Sequence, residues 1–281
     1  MMVIDFRMRP PVGGFLQALM YRNVQRTAKI ARSIGMELPP SVFEESVELM
    51  LKEMEEAGIV RGVVQGRRVD PYMGSVPNED VENFVRAHSE TFFGFAGIDP
   101  SNMEEALAEV DSVSKNDAFR GIVLEPGMLT VPMYANDRRI YPIYEKCTRL
   151  SLLVVVMAGG NVGPDISYSM PVAIDQVAAD FPKLTLIISH GGWPWVTQIL
   201  HVAYRRPNVY ISPDQYLVNL PGVNDYVLAA NYYLQDRFLF ATSYPFLAFK
   251  QAVDYFKGLP FKPEVIDKLL YKNAAGLLGL D

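Results

Sequence analysis

The chain has 281 residues, of which 49% are hydrophobic, and its formal net charge is −6. This length and hydrophobic content are enough for one large α/β domain or two small ones, and they argue against a disordered chain. An acidic chain without a basic run is a poor match for nucleic acid or an anionic membrane. The single cysteine, Cys147, excludes an intrachain disulfide and a thiolate zinc cluster.

Short apolar segments alternate with amphipathic stretches along the chain, which is typical of a parallel sheet with crossover helices. Most of these segments are continuous apolar runs, so both faces of each strand are expected to be buried. The predicted strands are Val3–Phe6, Arg61–Val64, Phe92–Gly97, Gly121–Leu124, Leu152–Met157, Leu184–Ser189, Val209–Ser212 and Phe238–Ala241.

The clearest helix is predicted from Ser41 to Ala57, with Ser41 and Glu44 as a capping box and Gly58 as the stop. The other predicted helices are Asn78–His88, Asn102–Lys115, Asp137–Leu150, Pro171–Asp180, Trp195–Tyr204, Pro245–Lys257 and a final helix from Pro263 to Leu278.

Eight strands with interleaved helices favour an α/β fold that is a single (β/α)8 TIM barrel, with residues 1–281 forming one domain. An open doubly wound sheet is the alternative, but no G-x-G-x-x-G motif follows an early strand. The segment Pro11–Pro40 is interpreted as an insertion after the first strand that lies over the barrel mouth, where lids usually sit.

Polar side chains follow the predicted strands at their carboxyl ends, which is where TIM-barrel enzymes carry their active sites. In chain order these residues are Arg7, Arg9, Gln65, Arg67, Arg68, Asp99, Glu125, Asn161, His190, Asp214, Gln215, Tyr216, Ser243 and Tyr244. We therefore expect them to surround one mouth of the barrel.

Three stretches of the chain resemble the amidohydrolase-related branch of the amidohydrolase superfamily. They are Ile4–Pro10 (IDFRMRP), Ile187–Trp195 (IISHGGWPW) and Leu239–Pro245 (LFATSYP). The resemblance extends from the first strand to the last helix and implies a (β/α)8 barrel. Members of that family include metal-dependent hydrolases and nonoxidative decarboxylases of small aromatic or unsaturated acids.

The sequence departs from the family at the metal ligands. The family's first-strand signature is I-D-x-H-x-H, and its two histidines bind the metal, but this chain has Arg7 and Arg9 there. The fifth-strand histidine position holds Met157 and the eighth-strand aspartate position holds Ser243, so of the ligand set only His190 remains. A guanidinium has no lone pair and stays protonated, and one histidine does not hold a zinc ion. We therefore predict no catalytic metal and no cofactor.

Arg7 and Arg9 have two interpretations. They replace the metal's charge and bind a carboxylate, a phosphate or an oxyanion. Alternatively, Glu125, Asp214 or Asp99 neutralises them in a buried network that only fills the former metal site. Arg67 and Arg68 are candidates for additional ligand contacts.

His190 is the predicted general base or acid because its ordinary pKa suits neutral pH. Either Asp214 or Glu125 is expected to orient it or to act as the base. Trp193 and Tyr216 are expected to line an apolar pocket for a ring, and Ser243 is a further candidate for contact with substrate.

Three functions remain open at this point. The first is metal-independent hydrolysis of a small anionic lactone, ester or amide. The second is a lyase reaction, either decarboxylation or hydration of a similar acid. The third is binding of a metabolite or a partner chain without catalysis. The chain lacks a signal-peptide pattern at its N-terminus, so a cytoplasmic protein that binds a small anionic metabolite, and neither nucleic acid nor membrane, is expected, and a homodimer is the predicted assembly.

Overall fold

A computed structural model describes residues 1–280 and shows an α/β fold with one sheet of seven parallel strands in sequential order. The strands are β1 (Val3–Met8), β2 (Ile59–Gln65), β3 (Phe92–Gly97), β4 (Phe119–Leu124), β5 (Leu153–Met157), β6 (Leu186–Ser189) and β7 (Val209–Ser212). The predicted bounds of β3 and β7 are confirmed, and the other five strands differ from prediction by two residues or fewer at each end.

The sheet curls because alternate side chains of all seven strands converge on one apolar cluster. This inner cluster includes Ile4, Phe6, Val63, Phe95, Val123, Val155, Ile187 and Leu239. A second, larger cluster lies between the sheet and the helices. Burial on both faces explains why the strands read as continuous apolar runs, and the curled half-barrel is consistent with a TIM barrel.

The predicted eighth strand at 238–241 is not a strand in the described chain. This segment makes one isolated bridge to β7, between Phe238 and Ile211, and the following turn makes another to β1, between Tyr244 and Met8. The backbone N–H of Phe6 also donates to the carbonyl of Phe240 at 3.0 Å. The segment therefore occupies the expected place beside β1 without a continuous ladder.

Thirteen α-helices are present in residues 1–280. They are α1 (Leu19–Arg22), α2 (Val24–Ser33), α3 (Pro40–Phe43), α4 (Val47–Ala57), α5 (Asn78–Ala87), α6 (Met103–Ser114), α7 (Tyr141–Leu150), α8 (Pro171–Asp180), α9 (Val196–Arg205), α10 (Val223–Asn231), α11 (Phe249–Gly258), α12 (Pro263–Asp267) and α13 (Asn273–Leu278). None of them has the length and apolar character that crossing a lipid bilayer requires.

The predicted capping box at Ser41 is wrong. The helix is interrupted after α3, and a separate helix, α4, begins at Val47. Ser46 caps α4 by accepting a hydrogen bond from the Leu49 N–H at 3.1 Å. Ser41 is buried, and its hydroxyl forms hydrogen bonds with Glu53 and with the Tyr244 hydroxyl. The predicted stop at Gly58 is confirmed, because it ends α4 in the left-handed conformation.

Residues 11–43, which include α1, α2 and α3, form a cover segment beside the carboxyl ends of the strands. The Tyr21 hydroxyl donates to the Arg9 carbonyl at 2.7 Å. Further along, the Asn219 side chain donates to the Ile34 carbonyl at 2.8 Å, and the Ala248 N–H donates to the Glu37 carbonyl at 3.1 Å. The cover segment is thus fastened at several points.

Candidate active site

A cavity of about 120 Å³ opens at the carboxyl ends of the strands. Its lining includes four arginines, one carboxylate, one histidine and one tyrosine: Arg7, Arg9, Arg26, Arg67, Glu125, His190 and Tyr216. Methionines form much of the apolar wall: Met20, Met73, Met128 and Met157. Engineered apolar cavities of about 150 Å³ admit benzene, so this space suits a molecule with one small ring or a short chain.

His190 and Asp214 form a buried pair at the ends of β6 and β7. The Nδ1 atom of His190 lies 3.0 Å from Oδ1 of Asp214, and the backbone N–H of His190 donates to Oδ2 at 3.1 Å. Pairing of Ser189 with Ser212 in neighbouring strands brings the two following residues to the same level. Of the two predicted partners of His190, the structure therefore brings Asp214 to it.

Electrostatics favour a neutral ring at His190. Burial lowers the pKa of His190, and the charge of Arg7 lowers it further, while Asp214 opposes both effects without overcoming them. Burial raises the pKa of Asp214, but the neighbouring His190 and Arg7 outweigh burial and hold that pKa below its usual range. An ionised Asp214 accepts a hydrogen bond from Nδ1–H, which keeps the proton on Nδ1 and leaves the lone pair of Nε2 for a ligand in the cavity.

Arg7 connects this pair to the turn that follows the segment at 238–241. Its Nη1 atom donates to the Ser243 hydroxyl and lies 3.8 Å from Oδ2 of Asp214. Arg7 is only 4% exposed. Ser243 does not line the cavity, so the structure places it behind Arg7 as a hydrogen-bond acceptor rather than at the surface that a substrate would touch.

Arg9, Arg67 and Glu125 form a second buried network. The two carboxylate oxygens of Glu125 accept one bond from each arginine, at 2.7 Å from Arg9 and 3.2 Å from Arg67. Burial raises the pKa of Glu125, but the charges of Arg67 and Arg9 outweigh burial and hold the pKa below its usual range. Burial lowers the pKa of Arg9 to about 9, which leaves it protonated at neutral pH.

The arginines have donors that other residues do not use. A guanidinium carries five N–H donors. Within residues 1–280, the Nε atoms of Arg7 and Arg67 are buried and have no hydrogen-bond partner. Buried polar groups are usually paired, so these two donors are exceptions among the buried polar atoms of the site.

Three site residues hold a backbone conformation that side chains other than glycine rarely adopt. The φ angles of His190, Asp214 and Ser243 are 65°, 48° and 56°. His190 and Asp214 follow β6 and β7, and Ser243 follows the segment at 238–241. Left-handed backbone at non-glycine residues costs free energy and occurs preferentially at functional sites.

Tyr216 forms one wall of the cavity beside His190. The two rings meet edge to face with centroids 4.8 Å apart. Trp193 stacks behind Tyr216 at 5.3 Å and does not line the cavity. Gly160 makes room for this tyrosine, because a Cβ atom there would lie 1.8 Å from the Tyr216 hydroxyl oxygen.

Two other strand-end candidates lie away from the arginine network. Arg68 pairs with Glu109 at 3.1 Å on the outer side of the loop. Asp99 instead accepts a hydrogen bond from the backbone N–H of Ser101. Neither residue lines the cavity.

Residues that the sequence did not single out complete the lining. The cover segment contributes Leu19, Met20, Arg26 and Ile30. The predicted position of this segment over the mouth was the one signal that could have drawn attention to them.

The donor set does not fit a catalytic metal. Within residues 1–280, no three His, Cys, Asp or Glu side chains are grouped to hold a metal ion. Asp214 is already engaged by His190 and by the guanidinium of Arg7, and Glu125 is engaged by Arg9 and Arg67. A structural or catalytic zinc needs at least three protein ligands, so these residues do not form such a site.

Comparison with solved structures identified both a near relative and distant ones. An uncharacterized TIM-barrel protein from Bordetella bronchiseptica is 45% identical, with 99% of each chain covered and a TM-score of 0.96. A 2,6-dihydroxybenzoate decarboxylase from Rhizobium is 14% identical over 100% of this chain and 99% of that one, with a TM-score of 0.75. A probable 2-pyrone-4,6-dicarboxylic acid hydrolase from Acinetobacter baumannii is 14% identical over 99% and 100% of the two chains, with a TM-score of 0.67.

At 14% identity, the last two similarities establish the shared fold alone. A search of the curated proteins returned no match. The family model described as Amidohydrolase matches residues 32–280, from the cover segment through the last helix. That match spans His190, Asp214 and Ser243, and the chain therefore belongs to the amidohydrolase family, as a divergent member with arginines on its first strand.

Proposed function

We propose that this protein is a hydrolase that cleaves a lactone, ester or amide bond in a small carboxylate-bearing substrate, with buried arginines in place of a metal's charge. The observation that carries the proposal is the His190–Asp214 pair, whose free ring nitrogen belongs to a cavity that Arg7 and Arg9 also line. A neutral histidine beside fixed positive charge is suited to removing a proton from water and stabilising the resulting oxyanion.

The chemical steps follow from this arrangement. Nε2 of His190 takes a proton from water, and the water oxygen bonds to the substrate's carbonyl carbon. The carbonyl π electrons move to the oxygen, and Arg7 or Arg9 stabilises that negative charge. The tetrahedral species then breaks its bond to the leaving oxygen or nitrogen, which takes the proton back from His190. Asp214 keeps the ring oriented and stabilises its cationic form.

A lyase reaction is the second candidate. Its support is the fold shared with a 2,6-dihydroxybenzoate decarboxylase, together with arginines that would hold a carboxylate in either reaction. Decarboxylation leaves a carbanion that must be protonated, and hydration needs both a base and an acid. The lowered pKa of His190 leaves its ring unprotonated at neutral pH, and this is the form that removes a proton from water, which favours hydrolysis.

Turnover of two compounds separates these functions. The purified protein is incubated with 2-pyrone-4,6-dicarboxylate and with 2,6-dihydroxybenzoate, and ring opening and carbon dioxide release are measured. Ring opening of the lactone is the expected result. Carbon dioxide release from 2,6-dihydroxybenzoate would refute hydrolysis and support the lyase function. Binding of either compound without turnover would identify a binding protein.

Substitution at His190 tests the assigned base. His190→Gln should lower kcat by about 10³-fold, while binding of the substrate is retained. His201→Gln is the matched control, because His201 is exposed on α9 and lies outside the cavity. Equal activity of the two variants would contradict the assignment of His190.

Metal content tests the charge replacement independently. The protein is purified without chelator and without a metal-affinity column, and zinc, manganese and iron are measured by elemental analysis. We expect close to none per chain. About one equivalent that activity depends on would overturn the metal-independent mechanism.

A further inference from the structure

We propose that the substrate carries two acid groups, one held deep in the cavity by Arg7, Arg9 and Arg67, and the other held at its mouth by Arg26. This inference deepens the proposed function and rests on it for the reaction. The two anion-binding positions come from different parts of the fold, because Arg26 belongs to α2 of the cover segment.

The charge balance of the cavity supports a dianion. Four arginines line it, at positions 7, 9, 26 and 67. The carboxylates that face these arginines are Glu125, which lines the cavity, and Asp214 behind it. With His190 neutral, two positive charges have no counter-charge in the site. A ligand with two negative charges matches that excess, with one charge for the buried arginines and one for Arg26.

Arg26 differs from the deep arginines in its partners. Each of the three deep arginines has a carboxylate within 4.0 Å. Among residues 1–280, no carboxylate lies within that distance of Arg26, and its side chain is exposed at the cavity mouth. A cation without a protein partner beside a cavity is available to a ligand.

The backbone beneath Arg26 is held in place. The backbone N–H of Arg26 donates to the side-chain oxygen of Asn23 at 3.1 Å, which caps α2. The next residue, Thr27, is fully buried, and its hydroxyl donates to the Met20 carbonyl at 2.7 Å. The fastened cover segment therefore holds the backbone of Arg26 in place at the cavity that the deep arginines also line.

Apolar side chains line the cavity together with the arginines. Leu19, Ile30 and Met73 line the same cavity as Arg26 and the deep arginines. A ring or short unsaturated chain placed against them, with an acid group at either end, satisfies both the apolar wall and the charges. The inferred substrate class is thus a small dicarboxylate with an apolar centre.

Binding of isophthalate and benzoate tests this inference without turnover. The two probes share one ring and differ by one carboxylate, and their dissociation constants are measured by calorimetry. The wild-type protein should bind isophthalate about tenfold or more tightly than benzoate. Arg26→Gln should raise the dissociation constant of isophthalate by about the same factor and change that of benzoate by less than about twofold.

The control is Arg32→Gln, which removes the same charge from the same helix. Arg32 is exposed and does not line the cavity, so its substitution should leave both constants unchanged. Thermal unfolding without ligand confirms that both variants fold.

Several outcomes would overturn the inference. The second anion-binding position is refuted if the wild-type protein binds both probes with equal affinity. It is also refuted if Arg26→Gln weakens the binding of both probes equally. If neither probe binds, the cavity is not an anion-binding site. The proposed hydrolysis fails separately, when isophthalate binds through Arg26 but His190→Gln changes no turnover.

Discussion

Asp214 accepts two hydrogen bonds from the same residue, one from the backbone N–H of His190 at 3.1 Å and one from its ring Nδ1 at 3.0 Å. The backbone bond fixes the carboxylate against the end of β6, and the ring bond fixes the rotation of the imidazole. Since both residues hold left-handed backbone, the geometry of the pair is set by the chain as well as by the side chains.

Replacing Asp214 tests that geometry. Asp214→Asn removes the negative charge that holds the proton on Nδ1, so Nε2 no longer carries the lone pair in every molecule. We expect kcat to fall by about 10²- to 10⁴-fold. Asp225→Asn, at an exposed position on α10, is the control. Retention of full activity in Asp214→Asn would refute the role of the pair.

The pH profile reports the state of His190. Burial and the charge of Arg7 lower the pKa of His190 beneath the ordinary value of 6.5, so the base form dominates at neutral pH. The activity kcat/KM should therefore be level near neutrality and fall as pH drops through the lowered pKa. Removing the charge of Asp214 should move this acid limb to still lower pH. An acid limb above about pH 7 would contradict a neutral His190.

Glu125 is expected to serve stability rather than proton transfer. Glu125→Gln leaves the buried Arg9 and Arg67 without their shared counter-charge, and loss of one partner of a buried ion pair costs about 3–5 kcal/mol. Isophthalate should restore part of this loss, so it should stabilise the variant more than the wild-type protein in urea unfolding. Glu105→Gln, at an exposed position on α6, should change neither quantity.

The activity of Glu125→Gln should also be measured where the variant is fully folded, below its unfolding transition. A large fall in kcat under that condition would point instead to a chemical role for this carboxylate.

Asp5 gives the fold a pH dependence of its own. It is fully buried, and burial raises its pKa from 3.8 to about 6, against hydrogen bonds from Thr242 and Arg7 that lower it. The folded chain keeps a proton that the unfolded chain has lost, so this residue's contribution to stability is complete below pH 4 and declines as pH rises to about 6. The decline is about 3 kcal/mol.

Urea unfolding of the wild-type protein and Asp5→Asn between about pH 4.5 and pH 7 measures this effect. The asparagine keeps an acceptor oxygen for the N–H groups of Arg7 and Thr242 but does not titrate. The difference in unfolding free energy between the two proteins should change over this range. Parallel pH curves would show that Asp5 is ionised in the folded state.

The sequence was informative wherever local pattern decides structure. Continuous apolar runs located seven strands, and the carboxyl ends of those strands placed His190, Asp214, Glu125 and Arg7 in one region. The helix α10 was not predicted. The break between α3 and α4 was missed because Ser41 is drawn into long-range hydrogen bonds with Glu53 and Tyr244.

Pairing across the site could not be read from the sequence. Arg67 and Arg68 are adjacent and chemically identical, yet successive side chains leave an extended segment on opposite sides, and only Arg67 enters the cavity. Whether Asp214 or Glu125 meets His190 depends on how two loops from distant parts of the chain pack. Similarly, only the folded cover segment reveals that Arg26 belongs to the site.

The cationic cavity lies in a chain whose net charge is −6. At an ionic strength of about 0.01 M the Debye length is about 30 Å, so the whole acidic surface repels an approaching anion. At about 0.1 M the Debye length shrinks to about 10 Å, and an anion near the mouth is influenced mainly by the arginines. We therefore expect the cavity to capture an anionic ligand fastest at intermediate ionic strength, unlike proteins whose overall charge attracts their ligand.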